Sequence, residues 1–515
     1  MCFICAQTTL DLADSAGVSP ASNKVLALGT AAVMMFSAAT PLAASIQSNK
    51  IVTSTAVKSG AICKTEGQVK TASGYIFTCK KSGKKLLWKK GAKVGIKLPP
   101  TPTPTPSATP TPTPTPTAAP IPISISASSE FEAFSTCKLA KPANLPLNDG
   151  ERGSVGFPND SDPISSAGSH KALLLLVDFA DAQADATLTS TFKERIPALE
   201  KFFRESSYNK FNLTVEPTNK VYRLGNASTF YNLFEAPGGG PIAGSNPKLQ
   251  DLLLDSMGAA DADIDFSKYL FVTISAPLSP NLTLSGAFGV SPKDTEKFDG
   301  VKYNFANFSP LDSVLPVSQY NKIWNWTHDI GHMLGLMHPY EREDRNAWDI
   351  MYNFAPQPDF LGWNKWKLNW ISDDQVNCLG KSFDKGITTL LSPVGEASGL
   401  KKMLVIQLNP ANALVIEVRR KTSSDRSTFL NEQSGVIVYR VDTTKQGNTG
   451  MPNAGPFKIL SNLEKKVIFA ANNSNQIPYT IGTMKPGESM EVEGIRIEVL
   501  RSTAEGDYVL VNQEK

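Results

Sequence analysis

A tract of alternating proline and threonine divides this chain into two unequal parts. Residues 99–121 consist almost entirely of Pro, Thr and Ala. Proline fixes φ and has no backbone N–H, so such a tract takes an extended polyproline-II conformation of about 3.1 Å per residue and joins no core. We therefore expect a semi-rigid linker over residues 98–122, with separately folded parts on either side.

Length and composition limit the class of protein. A chain of 515 residues exceeds one compact domain, so two or three folded units are expected. Its hydrophobic content of 41% is sufficient for ordinary cores. The net charge of +3 argues against a nucleic-acid-binding function for the chain as a whole.

The first 44 residues have the pattern of a signal peptide. Lys24 precedes a 15-residue apolar run, which is shorter than the roughly 20 residues of a membrane span. Small residues at Ala43 and Ala44 provide a cleavage site. We expect residues 1–44 to be removed and the mature protein to be secreted or held at a bacterial cell surface. The alternative is an uncleaved N-terminal anchor.

Residues 52–97 predict a small lysine-rich β module. Short apolar runs alternate there with Gly and Lys, and a Cys63–Cys79 disulfide is expected to close the unit. Between Lys50 and Lys97 lie 12 lysines and one acidic residue, Glu66. Two interpretations of these lysines stay open, namely contact with an anionic partner such as a cell-wall polymer and a merely solvated face.

Two further cysteines, Cys137 and Cys378, fall in the large part of the chain. We expect them to pair, which leaves an even number of cysteines outside the leader and fits an oxidising, extracytoplasmic compartment. The alternative for Cys137 is a zinc-blocking thiol in a pro-segment between residues 123 and 165.

The large part changes its pattern near residue 385. Upstream, the buried strand 173–179 and an amphipathic helix over 189–206 predict a mixed α and β domain at 123–384. Downstream, short strands separated by turn residues predict a β-sandwich-like domain at 385–515.

Three of the four histidines lie within eleven residues, in HDIGHMLGLMH. His328 and His332 are four residues apart, so on a helix both imidazoles project from one face. Gly335 permits a turn that returns His338 to the same point. Three imidazoles and an open position are the ligand set of a catalytic zinc ion. His170 stands alone before a strand and is expected to be structural.

The zinc motif resembles the metzincin clan, which has the pattern H-E-x-x-H-x-x-G-x-x-H followed by a methionine turn. Met351 in WDIMYN lies 13 residues past His338 and corresponds to that turn. The wider order of segments resembles the immune inhibitor A family of secreted bacterial metallopeptidases. Segments that carry this resemblance include LLLLVDFAD, FFRESSYNKFNLTVEP, LGWNKWKLNWI and SGVIVYRVD.

The resemblance implies an α+β metzincin-like zinc peptidase domain with a C-terminal β-sandwich-like domain and the small N-terminal disulfide-containing β module. It implies a protein or peptide substrate bound along an edge strand, for which we expect a segment within 270–291. Tyr352 is a candidate for stabilising the oxyanion. Calcium sites are compatible with the family, although no EF-hand spacing occurs here.

Two positions depart from the family pattern. The family commonly has Asp as third ligand, whereas this chain has His338, which is also a good zinc ligand. The general base of the clan is Glu at the position of Asp329. Asp is one methylene shorter, and a misplacement of roughly 1 Å can cost about 10²-fold in rate. Substitute carboxylates are available at Glu341, Glu343 and Asp344.

The sequence therefore predicts a secreted zinc-dependent endopeptidase that hydrolyses extracellular proteins, with Asp329 as base. The alternative is a zinc-binding but catalytically weak or inactive surface protein used for adhesion or scaffolding, because Asp329 and the lysine-rich module both fit that interpretation. Neither interpretation includes nucleic acid as a partner or a membrane span in the mature form.

Overall fold

The chain is described by a computed structural model that falls into two units, one of which ends before residue 121. The structure describes residues 58–63, 66, 69–72, 75–83, 85–93, 122–143, 154–159, 164–184, 186–231, 247–277, 286–289, 297–299, 305–308, 323–339, 345–352, 358–426, 433–445, 455–460, 466–467 and 479–514. The expected leader at 1–44 and the linker up to residue 121 lie outside these ranges, as do Glu341, Glu343 and Asp344.

The N-terminal unit is an antiparallel sheet of three strands, β1 (Val69–Ala72), β2 (Tyr75–Ser82) and β3 (Lys85–Lys93). Its core is small and consists of the Cys63–Cys79 disulfide with Phe77 and Trp88. The two cysteine Cα atoms lie 5.9 Å apart. So few buried apolar residues supply little stability, and the disulfide compensates by restricting the unfolded chain.

The first sheet of the large unit has six strands, all parallel except the last in spatial order. Its strands are β4 (Gly168–Asp178), β5 (Phe211–Pro217), β6 (Tyr222–Arg223), β7 (Phe271–Ser275), β8 (Gly286–Gly289) and β9 (Phe305–Phe308). The order is β5-β4-β7-β9-β8, with β6 pairing to the end of β4. Strand β8 is the antiparallel edge.

Helices cover the described unit at six places, α1 (Phe134–Cys137), α2 (Ala186–Ser206), α3 (Ser228–Tyr231), α4 (Pro247–Ala260), α5 (Trp324–Met333) and α6 (Gly362–Lys367). Short 3₁₀ turns occur at Ser128–Glu130, Phe266–Lys268 and Asp373–Gln375. No helix in the ranges above is both long and apolar enough to cross a bilayer.

Strand β4 is buried on both faces, which explains its continuous apolar run. Leu173 and Leu175 pack on the side of α4, whereas Leu174 and Leu176 pack on the side of α2 and α5. The expected helix over 189–206 is α2, and its apolar stripe supplies Ile196, Leu199 and Phe203 to that second core. These layers place α5 against the sheet.

The C-terminal half forms two main sheets and a smaller one. Its strands are β10 (Arg345–Asn346), β11 (Val376–Leu379), β12 (Ile387–Leu391), β13 (Met403–Asn409), β14 (Asn412–Arg419), β15 (Gly435–Asp442), β16 (Phe457–Leu460), β17 (Lys466–Val467), β18 (Tyr479–Thr480), β19 (Ser489–Val492), β20 (Ile495–Ser502) and β21 (Asp507–Gln513). The sheet orders are β11-β13-β14-β15-β16, β12-β21-β20-β19 and β10-β18-β17.

The five-stranded sheet is covered on both faces. Leu404, Ile406, Leu414 and Ile416 pack against residues of the four-stranded sheet such as Ile497, which gives a sandwich core. On the opposite face, alternate residues of the same strands pack against α6. That second core contains Val405, Val415, Ile437, Trp363 and Trp366.

The domain boundary expected near residue 385 therefore falls inside one compact unit. Strand β11 lies before it and pairs with β13 beyond it. The described residues from 122 onward form one compact unit. The unit is mixed α and β, with several sheets, and the Cys137–Cys378 disulfide joins α1 to β11 with Cα atoms 5.8 Å apart.

Removal of each disulfide should affect different units. A Cys137→Ala, Cys378→Ala double variant is expected to lose about 2–5 kcal/mol of unfolding free energy, because that bond closes a loop of 241 residues. Guanidinium unfolding followed by tryptophan fluorescence measures this, since six of the seven tryptophans follow residue 320. Cys63→Ala, Cys79→Ala is the matched control and should leave this transition unchanged. Equal losses would contradict the separation into two units.

Candidate metal centre

Helix α5 brings two histidines to one face. His328 and His332 are one helical turn apart, and their Nε2 atoms lie 3.0 Å from each other. His328 is fully buried and His332 is partly buried. The helix packs on the first sheet through Trp326, Ile330 and Met333, so its polar histidine face is held in place by apolar contacts on other sides.

The third histidine returns to the helix through a glycine turn. Gly335 follows α5 with φ of 92°, a left-handed conformation that a residue with a Cβ rarely adopts. Its N–H donates to the His332 carbonyl at 2.9 Å, which ends the helix. Three residues later, His338 Nε2 lies 2.8 Å from both His328 Nε2 and His332 Nε2.

The opposite ring nitrogens determine the tautomers of the two helical histidines. His328 Nδ1 lies 2.9 Å from the Ile350 carbonyl oxygen, and His332 Nδ1 lies 2.8 Å from the Leu336 carbonyl oxygen. A carbonyl only accepts, so each Nδ1 carries the hydrogen and donates it. In the neutral ring, Nε2 then presents a lone pair.

At 3.0 Å the lone pairs of His328 Nε2 and His332 Nε2 repel each other unless a cation, or a hydrogen donated by His338 Nε2, lies between them. Burial, together with His338 and His328, holds the pKa of His332 well below its usual range, which favours the neutral ring of that residue. His328, His332 and His338 are a ligand group close enough to hold one metal ion. Three neutral imidazoles fit zinc, which takes nitrogen ligands in sites of this kind.

Met351 forms an apolar wall against the ligand helix. It is fully buried in the same core as Ile330 and Met333. A Cβ added at Gly331, between the two helical histidines, would overlap Met351 Sδ and lie 3.2 Å from Phe360 Cε1. The absence of a side chain at Gly331 is thus what allows Met351 to lie beside the helix.

The turn that contains Met351 also holds the partner of His328. Ile350 provides the carbonyl for His328 Nδ1, and its own N–H donates to the Asp359 carbonyl at 3.3 Å. The carboxylate of Asp349 accepts from the Met351 N–H at 3.2 Å and from Asn364 Nδ2 at 3.0 Å. The position of the His328 ring therefore depends on residues outside the motif.

Burial raises the pKa of Asp349 to about 7, although the nearby Arg419 acts in the opposite direction and lowers it.

A buried ionic network lies next to this turn. Lys365 Nζ pairs with Asp359 at 2.6 Å, and Arg419 pairs with Glu417 at 3.0 Å and with Asp425 at 2.7 Å. Its members come from both sides of residue 385, which links the ligand region to the sandwich.

Two further candidate residues, Asp329 and Tyr352, lie in the described part of the chain. Asp329 lies on α5 directly after His328 and is 3% exposed. Tyr352 follows Met351 and is buried, with its N–H donating to the Asp349 carbonyl at 3.0 Å. His170 lies on β4 instead, with its Nε2 2.6 Å from the Ala167 carbonyl, and takes no part in the cluster.

Sequence reasoning did not identify Gly331, Asp349 or Asn364. A glycine in the middle of a helix lowers helix propensity and is a signal that something packs closely there. For Asp349 and Asn364 no comparable signal exists, because their hydrogen bonds connect segments 15 residues apart whose proximity is known only from the fold.

Gly331→Ala should displace Met351. The added methyl group overlaps the Met351 sulfur, so we expect a loss of about 1–3 kcal/mol in unfolding free energy and weaker zinc binding. Gly258→Ala in α4 is the matched control, because an added Cβ there meets nothing and should be neutral or mildly stabilising. Denaturant unfolding and zinc titration measure both. Equal behaviour of the two variants would contradict this packing.

Asp349→Asn should change how stability depends on pH. The folded-state pKa of about 7 lies above the ordinary value of 3.8, so folding favours the protonated carboxyl. Its stabilising contribution is complete below about pH 4 and is lost as pH rises towards 7. Relative to Asp349→Asn, the metal-free wild type should lose up to about 4 kcal/mol of unfolding free energy over this range. A constant difference from pH 4 to pH 8 would rule out the raised pKa.

Solved structures similar to this chain exist, whereas its sequence matches no known family. No protein-family model and no curated protein matches the chain. Among solved structures, metalloproteinase-II from Bacteroides fragilis is similar with 16% sequence identity and a TM-score of 0.22. The alignment covers 46% of this chain and 60% of that protein's length. At this TM-score the similarity carries no argument, so the chemistry of the centre rests on its own residues.

Proposed function

We propose that this chain is a secreted zinc-dependent endopeptidase of the metzincin type, similar to immune inhibitor A peptidases. The observation that carries the proposal is the convergence of three imidazole Nε2 atoms within 3.0 Å, beside a buried methionine. His328, His332 and His338 would hold the zinc ion. Zinc bound by three protein ligands keeps an open position, where it acidifies a water molecule and polarises a carbonyl group.

Asp329 is the proposed general base and acid. It lies one residue after the proposed ligand His328 on α5 and is almost fully buried. The role consists of taking a proton from the attacking water and passing it to the leaving amine. Asp is shorter than the Glu of the clan. The rate therefore depends on whether the Asp329 carboxylate can reach the attacking water.

The substrate backbone is proposed to pair with strand β8. This strand lies within the segment 270–291 expected from the sequence and is the last of its sheet. It pairs with β9 on one side, no described strand lies on its other side, and its backbone lies next to α5. An extended peptide added at this edge would run next to the strand that contacts the helix carrying His328 and His332. Tyr352 remains a candidate for stabilising the oxyanion.

Secretion is proposed from the leader pattern and from the two disulfides. Both disulfides have ordinary Cα separations, and such bonds persist in oxidising compartments outside the cytoplasm. Asp in place of the clan's Glu favours a second candidate function, in which the chain binds zinc but hydrolyses peptides poorly and serves in adhesion or scaffolding. Activity measurements on Asp329 variants separate the two functions.

The wild-type protein should cleave casein in a reaction that a chelator stops and zinc restores. Asp329→Ala should lower kcat/KM by about 10²-fold or more while zinc stays bound, because the ligands are intact. Asp329→Glu should raise the rate, because the longer side chain reaches the water better. Asp261→Glu, the same substitution at an exposed position outside α5, is the control and should have no effect.

Two results would contradict the proposal. Absence of chelator-sensitive cleavage in the wild type would favour the adhesion or scaffold function. Full activity of Asp329→Ala would show that another group acts as the base. Substitutions at Glu341, Glu343 and Asp344 would then identify it.

A further inference from the structure

The sheet of the N-terminal unit has two chemically different faces. Directly opposite residues of antiparallel strands project to the same face, and successive residues alternate between faces. One face carries Phe77, Cys79 and Trp88, which are buried around the disulfide to Cys63, with the exposed Lys81 and Lys90 at its ends. The other, which we call the lysine face, is made of the intervening residues of β2 and β3.

One lysine occurs in each of three successive rows of the lysine face. The rows pair Thr78 with Lys89, Lys80 with Leu87, and Ser82 with Lys85. All three lysines are exposed. Adjacent rows are two residues apart, or about 6.6 Å along the strands. Along the strands the three lysines therefore recur at regular intervals, alternating between β3 and β2. This line of lysines suits a linear partner with repeating charge.

Aliphatic side chains lie beside these lysines, with Leu87 between Lys85 and Lys89 on β3 and Ile62 next to Leu87. Ile62 pairs with Leu87 across a β-bridge, so the two share the lysine face, and Ile62 is 73% exposed. The described aromatic side chains of the unit, Phe77 and Trp88, are both buried. The described face thus offers charge and aliphatic surface, but no aromatic plane on which a nucleic-acid base could stack.

The lysine charges are not balanced locally. Lys80, Lys85 and Lys89 make no ion pair with any described residue. Residues 50–97 carry a net charge of +11, from twelve lysines and one glutamate, whereas the whole chain carries +3. No arginine occurs in this stretch, so the face provides point charges without the planar fork that favours bidentate binding.

We propose that the lysine face binds a linear phosphodiester polymer whose phosphates are separated by short aliphatic units, as in poly(glycerol phosphate). The repeating phosphates match the line of lysines, and the carbon units between them match Ile62 and Leu87. Point charges without stacking or bidentate geometry recognise charge density and spacing, which is sufficient for a flexible polymer. This binding needs neither zinc nor peptidase activity.

The test uses the full-length protein and fluorescently labelled poly(glycerol phosphate), with binding followed by anisotropy. Lys80→Gln, Lys85→Gln and Lys89→Gln combined should weaken binding by at least about tenfold. The matched control changes Lys58, Lys81 and Lys90 to Gln, which removes the same charge from exposed positions outside the line. It should weaken binding by no more than about threefold. Ile62→Ser should weaken binding without changing its salt dependence.

Three results would overturn the proposal. Equal weakening by the two triple variants would show that only net charge matters. Tighter binding to vesicles rich in anionic lipid would assign the face to a membrane surface, and tighter binding to single-stranded DNA of equal charge would assign it to nucleic acid. Binding should persist in EDTA and in Asp329→Ala, so failure of the peptidase proposal leaves this test intact.

Discussion

The candidate metal centre depends on one buried hydrogen bond, from the Nδ1–H of His328 to the carbonyl of Ile350. It fixes the tautomer of the ring, so that Nε2 faces His332 and His338 with a lone pair. It also ties the ligand helix to the turn that carries Met351. A shift of this turn would therefore change both the ligand geometry and the apolar wall beside it.

Buried charged residues from the second half of the chain hold this turn in place. Asp359 accepts from Ile350 through its carbonyl and pairs with Lys365 through its carboxylate. Its own N–H lies 3.3 Å from the Asp425 carboxylate, and Asp425 pairs with Arg419. Removing one member of such a network leaves an uncompensated buried charge, which costs about 3–5 kcal/mol. The sandwich is thus part of the support of the centre.

Local patterns predicted much of this arrangement. The spacing of His328, His332 and His338 is sufficient to predict their convergence, because helix geometry and one glycine turn determine it. Strand β4 was recognisable because burial on both faces gives a continuous apolar run. The network around Asp359 could not be predicted, since buried ion pairs join residues far apart in sequence. The expected boundary at 385 was placed where the strand pattern changes, but the pattern does not reveal the core shared across it.

Zinc stoichiometry tests the central claim most directly. Titration with a competing chromophoric chelator should show one zinc ion per wild-type chain, and none in His328→Ala, His332→Ala or His338→Ala at the same free zinc concentration. His170→Ala removes the fourth histidine, which lies outside the cluster, and should keep one zinc ion. Retention of zinc by any of the first three variants, or its loss in His170→Ala, would contradict this account of the centre.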